Sequence, residues 1–219
     1  MSQTHLKFTT LTLATLLLGP AVWLGLAMAP AAAADAPCST EAVVNLTDLA
    51  VHGDLAATTS LGDKYAAGCG VAKSYPEALH WYRSAATGGE VHAQINLGWA
   101  HLLGNGVVKD EPEAFKWFLK AATQGDAKAQ GLVGALYAEG RGTQRNDTEA
   151  LAWLQKGTDS GDAYAQLGLA KMYGTGHGVA QDELKAKALL AMSAAQGNPQ
   201  AKIILQSYER KARDKTDGN

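Results

Sequence analysis

The sequence predicts an all-α fold, a solenoid of stacked helix pairs, and three observations support this prediction. Tripeptides of the form Gly-x-Gly recur every 36 residues, starting at Gly68, Gly104, Gly140 and Gly176. Between them, apolar residues stand four positions apart, which places them on one face of a helix. The alternation typical of strands is absent, and a fixed period of this length is typical of repeat arrays.

The glycine tripeptides also raise the possibility of a phosphate-binding loop. A loop of that kind occurs once per nucleotide site, follows a strand and leads into a helix. Four copies at constant spacing, with no strand before them, instead indicate turns between two antiparallel helices. Glycine suits such a turn because it adopts left-handed backbone at a helix end.

Each period contains two helices. Counted from the glycine that precedes each one, the repeats cover residues 53–88, 89–124, 125–160 and 161–196. An acidic residue follows each of those glycines and suits the N-cap of the first helix. The second helix starts after the glycine turn, at Ser74, Asp110, Asn146 and Asp182. Neither helix can bury its apolar face alone, so neighbouring repeats must stack.

Both ends of the array are predicted to be single capping helices. Residues 35–52 align with the second helix of a repeat one period later, and residues 197–213 align with a first helix that turns polar. Solenoids need such caps to shield their terminal faces. The mixed charges of residues 214–219 predict a disordered tail.

Residues 1–34 have the composition of a secretory signal peptide. Lys7 precedes a long apolar run, and small residues follow up to Ala34, where we expect cleavage. The alternative is an uncleaved membrane anchor, although Pro20 and Pro30 interrupt the apolar run. Cleavage predicts export across the inner membrane into the periplasm, with no stable membrane anchor afterwards.

The charge balance argues against a nucleic-acid partner. Removing residues 1–34 takes away Lys7 and no acidic residue, which leaves 18 basic and 21 acidic residues and a balance of −3. No basic stripe is visible along the predicted helices, and nucleic-acid binding needs one.

One stretch carries a family resemblance. The segment "DAKAQGLVGALYAEGRGTQRNDTEALAWLQKGTDSG" resembles the Sel-one-like repeat (SLR), a relative of the tetratricopeptide repeat, and four consecutive copies cover about two-thirds of the chain. The resemblance implies a right-handed α-solenoid and a role as an adaptor for other proteins. His101 in the Tyr position, Thr143 in the Val position and Leu189 in the Trp position depart from the pattern.

No motif predicts catalysis, a metal site or a cofactor. The histidines form no close ligand pair, and the recurring acidic residues are explained by helix capping. We therefore expect a non-catalytic protein. The alternative from another class is an envelope hydrolase acting on β-lactams or cell-wall material, because some cysteine-rich members of the family have been linked to β-lactam binding.

The first helices are expected to line a concave, partner-binding face, as in other solenoids of this kind. The residues predicted to face a protein or peptide partner there are His92, Ile95, Trp99, Leu102, Lys128, Tyr164, Leu167 and Lys171. Trp99 is the strongest candidate, because the repeat does not require an aromatic residue at that position. The alternative is that Trp99 fills a gap left by the small residues of repeat 3. We expect the protein to be a monomer.

The two cysteines are predicted to form a disulfide. Cys38 lies at the start of the N-terminal capping helix, and Cys69 lies in the turn that ends the next, antiparallel helix. An oxidising compartment would allow them to pair. Two unpaired thiols are the alternative.

Overall fold

Helices form all of the regular structure in the part of the chain that is described. The computed structural model describes residues 38–217, with side-chain surroundings for residues 38–210, so the predicted signal peptide (1–34) lies outside the described residues. The helices are α1 (Thr40–Val51), α2 (Leu55–Ala67), α3 (Tyr75–Thr87), α4 (Val91–Leu103), α5 (Glu111–Thr123), α6 (Ala127–Glu139), α7 (Asp147–Asp159), α8 (Ala163–Thr175), α9 (Glu183–Ala195) and α10 (Pro199–Asp217).

These helices stack as consecutive antiparallel pairs. Repeats 1 to 4 consist of α2 and α3, α4 and α5, α6 and α7, and α8 and α9, with α1 and α10 at the two ends. Each helix packs on the helix before it and the helix after it, and α6 also packs directly on α8. The all-α solenoid predicted from the 36-residue period is confirmed. None of the helices described in residues 38–217 is long and apolar enough to cross a membrane.

Side-chain caps fix where the helices begin. The residue before each of the helices α1 to α9 accepts a hydrogen bond from a backbone N–H in the first turn. In repeat 2, for example, Glu90 caps α4 and Asp110 caps α5. The Asp110 N–H also donates to the carbonyl of His101 at 2.9 Å, which ties the two helices together across the glycine turn.

The two glycines of each turn have different roles. Gly104 and Gly106 both have left-handed backbone, with φ of 77° and 75°. A Cβ added at Gly104 would find no atom closer than 3.5 Å, whereas one added at Gly106 would lie 2.7 Å from Cβ of Tyr75. Tyr75 begins the second helix of the preceding repeat, so the second glycine forms a contact between repeats. Gly70, Gly142 and Gly178 make the equivalent contact in the other turns.

The two helices of a repeat approach closely at one small residue. A Cβ added at Gly98 would lie 2.5 Å from the ring of Phe118, which is completely buried. The equivalent positions in repeats 1, 3 and 4 are also small, at Gly62, Gly134 and Ala170. In α10 the equivalent residue is Gln206, which is exposed.

Helix α10 is longer than the sequence analysis predicted. It continues to Asp217, so residues 214–217, which were expected to belong to a disordered tail, are helical. The physical reason is visible in the sequence, because no glycine or proline follows Pro199 until Gly218. Residues 218 and 219 lie outside the described part of the chain.

Buried glutamines connect the first helix of a repeat to the end of its second helix. In repeat 2 the Gln124 amide donates a hydrogen bond to Oε1 of Gln94 at 2.8 Å. In repeat 4 the Gln196 amide donates the equivalent bond to Gln166 at 3.0 Å. In repeat 3 the equivalent residues are Gln130 and Ser160, and serine is too short to reach. The Oε1 atom of Gln130 is buried and has no hydrogen-bond partner.

A disulfide joins the N-terminal helix to repeat 1. Cys38 and Cys69 are bonded, with their Cα atoms 4.6 Å apart, as the sequence analysis predicted. Cys38 lies just before α1, and Cys69 lies in the turn after α2. The bond therefore fixes the N-terminal cap to the first complete repeat.

Candidate partner-binding groove

The structure exposes only some of the residues that were predicted to face a partner. His92, Trp99, Lys128, Tyr164 and Lys171 are exposed, and Ile95 is half-buried. Leu102 and Leu167 are buried, with only 8% and 4% of their surface accessible. Little of either side chain is therefore accessible to a partner, although Leu167 lines the groove described below.

The first helices bury a wider arc than a single apolar stripe. In α4 the buried residues are Ala93, Gln94, Leu97, Gly98, Ala100 and Leu102. At roughly 100° per residue, these positions span about 200° of the helix surface. The arc is wide because α4 packs against both α3 and α5. Leu102 lies at the edge of this arc, and Leu167 occupies the edge position of the equivalent arc in α8.

A groove of about 320 Å³ lies between α6 and α8. Apolar residues form its floor, among them Leu132, Ala135 and Leu167. Its rim carries polar and aromatic side chains, namely Tyr164, Lys171, Thr175, His177, Glu139, Arg145, Asp147 and Gln200. Three of the predicted contact residues, Tyr164, Leu167 and Lys171, thus come together at one site.

Two glycines lie in the wall of this groove. Gly131 occupies a position where the first helices of repeats 2 and 4 carry Ile95 and Leu167. Gly168 occupies a position where repeat 3 carries Leu132 and α10 carries Ile204. A Cβ added at Gly131 would lie 2.9 Å from Asp162, and one added at Gly168 would lie 2.5 Å from Leu154, so both glycines allow neighbouring helices to pack closely beside the groove. Leu132 was not among the residues predicted to face a partner, because the groove depends on how α6 and α8 pack against each other.

Most of the charged groups on the rim have partners within the protein. Arg145 donates two hydrogen bonds to the carboxylate of Asp147, at 2.9 Å and 3.1 Å. The bonds from Arg145 hold the pKa of Asp147 below its usual range, so this pair is ionised at neutral pH. Glu139 lies 3.5 Å from Arg141.

Lys171 differs from these charged groups because its polar contact is a neutral amide. Its Nζ contacts the amide oxygen of Gln200 at 3.4 Å, and no carboxylate within residues 38–210 lies close enough to form an ion pair with it. The Lys171 side chain is exposed on α8, beside the apolar floor. The groove therefore presents one cation whose charge is not neutralised by the described residues.

Trp99 lies at a second, smaller cleft of about 150 Å³. The side chain is 38% exposed and stacks edge to face on Phe118, with ring centroids 5.4 Å apart. Its neighbours in the cleft belong to repeats 1 and 2, among them Tyr82 and Asn96. Trp99 thus contacts a ring of its own repeat and borders a cleft that it shares with repeat 1. It combines a packing role within its own repeat with an exposed aromatic surface.

Asp63 organises the polar side of this second cleft. It occupies the position in α2 that Trp99 occupies in α4 and accepts hydrogen bonds from the Tyr82 hydroxyl at 2.7 Å and from Asn96 at 3.0 Å. Burial of the Tyr82 ring and its bond to Asp63 raise the pKa of the phenol. No cluster of three or more His, Cys, Asp or Glu side chains that could hold a metal ion occurs among the described residues.

Solved structures with the same fold support this architecture. A Sel1 repeat protein from Oxalobacter formigenes is 36% identical, with a TM-score of 0.74, and the match covers 79% of this chain and 69% of that one. A protective antigen of uropathogenic Escherichia coli with an SLR fold is 37% identical, with a TM-score of 0.70. That match covers 76% of this chain but only 36% of the antigen.

A more distant likeness shows the fold alone. An immunity protein from Pseudomonas aeruginosa is 22% identical, with a TM-score of 0.50, over 73% of this chain and 59% of that one. A search of curated proteins found no match.

The sequence profile of the Sel1 repeat matches four consecutive segments of the chain. The matched residues are 56–90, 91–126, 127–162 and 163–198. They contain all four helix pairs of the solenoid. Sel1 repeat proteins are generally non-catalytic scaffolds for protein interactions. The match extends over more than half of the sequence, and the chain therefore belongs to the Sel1 repeat family.

Proposed function

We propose that this protein is an exported, periplasmic adaptor that binds a protein or peptide partner in the groove between α6 and α8. The observation that carries the proposal is the groove itself, in which the apolar residues Leu132, Ala135 and Leu167 lie beside Tyr164 and Lys171. Grooves that combine an apolar floor with a few polar rim groups are typical of binding sites. The general role of Sel1 repeat proteins as interaction scaffolds supports the same function.

The proposed contact surface extends from the groove along the first helices. Tyr164, with 65% of its surface exposed, and Lys171 form its centre. Lys128, Trp99 and His92 lie exposed on the neighbouring first helices and extend the surface toward repeat 2. Exposed aromatic residues such as Tyr164 and Trp99 are frequent anchors of protein interfaces.

Two observations support export. Residues 1–34 have the charge, apolar core and small-residue plan of a signal peptide. The Cys38–Cys69 disulfide is stable in an oxidising compartment such as the periplasm and is uncommon in the cytosol. Measurement of the intact mass of the protein from a periplasmic fraction tests this part. A mass that retains residues 1–34 contradicts cleavage and favours the anchored alternative.

Filling the groove tests the binding function. Ala135→Trp places an indole on the groove floor, and the repeat tolerates this residue because Trp99 occupies the equivalent position in α4. Ala152→Trp, at an exposed position of α7 outside the groove, is the matched control. A photo-crosslinking residue at Tyr164 reports contact with the partner in cells.

We expect the Tyr164 crosslink to disappear in the Ala135→Trp variant and to persist in the Ala152→Trp variant. Thermal melts of both variants show whether each is folded. If the crosslink persists in a folded Ala135→Trp variant, the partner binds elsewhere and the proposal that it occupies the groove is wrong. Failure to crosslink in the parent protein argues against the adaptor function at this site.

A further inference from the structure

We infer that the partner of the α6–α8 groove is an extended peptide segment with an internal acidic side chain next to an aliphatic one. The inference rests on the proposed binding function and adds the chemistry of the ligand. Three features of the groove support it: the charge of Lys171, the position of Lys171 along α8 and the apolar floor.

The charge of the groove favours an anionic group on the ligand. Arg145 and Asp147 neutralise each other, and Glu139 has Arg141 as its partner. Lys171 has only the neutral amide of Gln200. A bound carboxylate is the complement that this arrangement lacks, and it would gain strength from the adjacent apolar floor, where water is partly excluded.

The position of Lys171 assigns this carboxylate to a side chain within the segment. The groove follows α8 from Tyr164 to Thr175, a rise of roughly 16 Å at about 1.5 Å per residue. An extended peptide of about five residues has this length. Lys171 lies between the two ends, and the groove continues past it in both directions, so a chain terminus placed at Lys171 would leave the part of the groove beyond it empty.

The groove floor favours an aliphatic residue beside the acidic one. Leu132, Ala135 and Leu167 form an apolar surface in the same groove as Lys171. A leucine or isoleucine of the partner that packs on this surface removes apolar area from water.

A displayed library of random heptapeptides tests the inference. The library is selected in parallel on the disulfide-bonded protein and on its Lys171→Glu, Lys171→Met and Ala135→Trp variants. Lys171 is exposed, so its substitution leaves the core intact. We expect the parent protein to enrich Asp or Glu beside an aliphatic residue. Lys171→Glu should enrich Lys or Arg instead, and Lys171→Met should show no charge preference. Ala135→Trp should enrich neither the acidic nor the aliphatic residue.

A synthetic peptide from the selection provides the quantitative measurement. Replacing its acidic residue by the matching amide should weaken binding to the parent protein by about fivefold, the effect of one exposed ion pair. The same change should have no effect on binding to Lys171→Met.

The possible failures are distinguishable. Acidic peptides that bind equally well without Lys171 overturn the inference. Apolar peptides that depend on an open groove but show no charge preference also overturn it, and they leave the proposed binding function standing. If no peptide distinguishes the parent protein from Ala135→Trp, the groove is not a peptide site and both proposals fail.

Discussion

The unpaired amide oxygen of Gln130 leads to a specific prediction of a stabilised variant. In repeats 2 and 4, a glutamine at the end of the second helix donates to the equivalent buried oxygen, whereas repeat 3 has Ser160 at that position. The backbone of Ser160, with φ of −83° and ψ of 3°, matches that of Gln124, with φ of −82° and ψ of 0°. Ser160→Gln can therefore place its amide on Gln130 without a change in the backbone.

The expected gain follows from restoring one hydrogen bond. A typical intramolecular bond contributes about 0.5–1.5 kcal/mol, and a buried unpaired polar group costs about 1–3 kcal/mol. Because residue 160 is exposed and the added side chain loses rotamer freedom, we expect a net gain of about 1 kcal/mol. For a chain of this size, that gain raises Tm by about 2–4 °C.

Chemical denaturation followed by circular dichroism measures this gain. Ser160→Met is the matched control, because methionine has a similar length and no donor. A double-mutant cycle with Gln130→Met removes the acceptor, and the benefit of Ser160→Gln should then disappear. If Ser160→Gln is no more stable than Ser160→Met, or if its benefit survives the loss of Gln130, the reasoning from the unpaired oxygen is refuted.

The remaining predictions concern the turns, the disulfide and pH. Gly104→Ala should cost about 1 kcal/mol, because both glycines of the turn have positive φ, whereas Gly106→Ala should cost roughly 2–4 kcal/mol, because its Cβ also meets the preceding repeat. If urea denaturation gave equal losses of unfolding free energy for the two variants, the distinct role of the second glycine as a contact between repeats would be contradicted. Replacing both cysteines by serine should lower the free energy of unfolding by about 3–4 kcal/mol in the chain-entropy model, as measured by urea denaturation, and an unchanged midpoint would argue against it. Hydrogen bonds from Lys109 and Arg141 hold the pKa of Glu111 below its usual range, so Glu111 contributes stability at neutral pH that is lost as pH falls through the depressed folded-state pKa. Arg141→Met should therefore reduce the difference in urea midpoint between neutral and acidic pH, and an undiminished difference would assign the acid sensitivity to other groups.

The repeat architecture was accessible from the sequence because it depends on local, periodic signals. The glycine turns, the capping residues and the four-residue apolar spacing each specify a short piece of structure, and the period multiplies them. The disulfide followed from the same register, because Cys38 and Cys69 lie at adjacent ends of antiparallel helices. The extra length of α10 shows that mixed charge does not by itself end a helix when no glycine or proline occurs before Gly218.

The groove was harder to predict from the sequence than the fold, because it depends on contacts between repeats. Leu102 and Leu167 look like exposed apolar residues on a helical wheel, and only the packing of neighbouring helices buries them. Leu132 and Ala135 each look like ordinary residues of α6, and they form one surface with Leu167 only when α6 and α8 lie side by side. The unpaired oxygen of Gln130 likewise reflects a residue that lies 30 positions away, at Ser160.

The contact between each second glycine and the preceding repeat affects where the array unfolds locally. At the N-terminal end, Gly70 touches Ser39, and the adjacent Cys38–Cys69 bond makes that contact permanent. The junctions further along have no covalent link. Because a solenoid opens one neighbour contact at a time, fraying should start at α10 and α9 and stop before α1. Amide hydrogen exchange should therefore slow progressively toward the N-terminus, and the α6–α8 groove lies in the half that opens more readily to admit a partner.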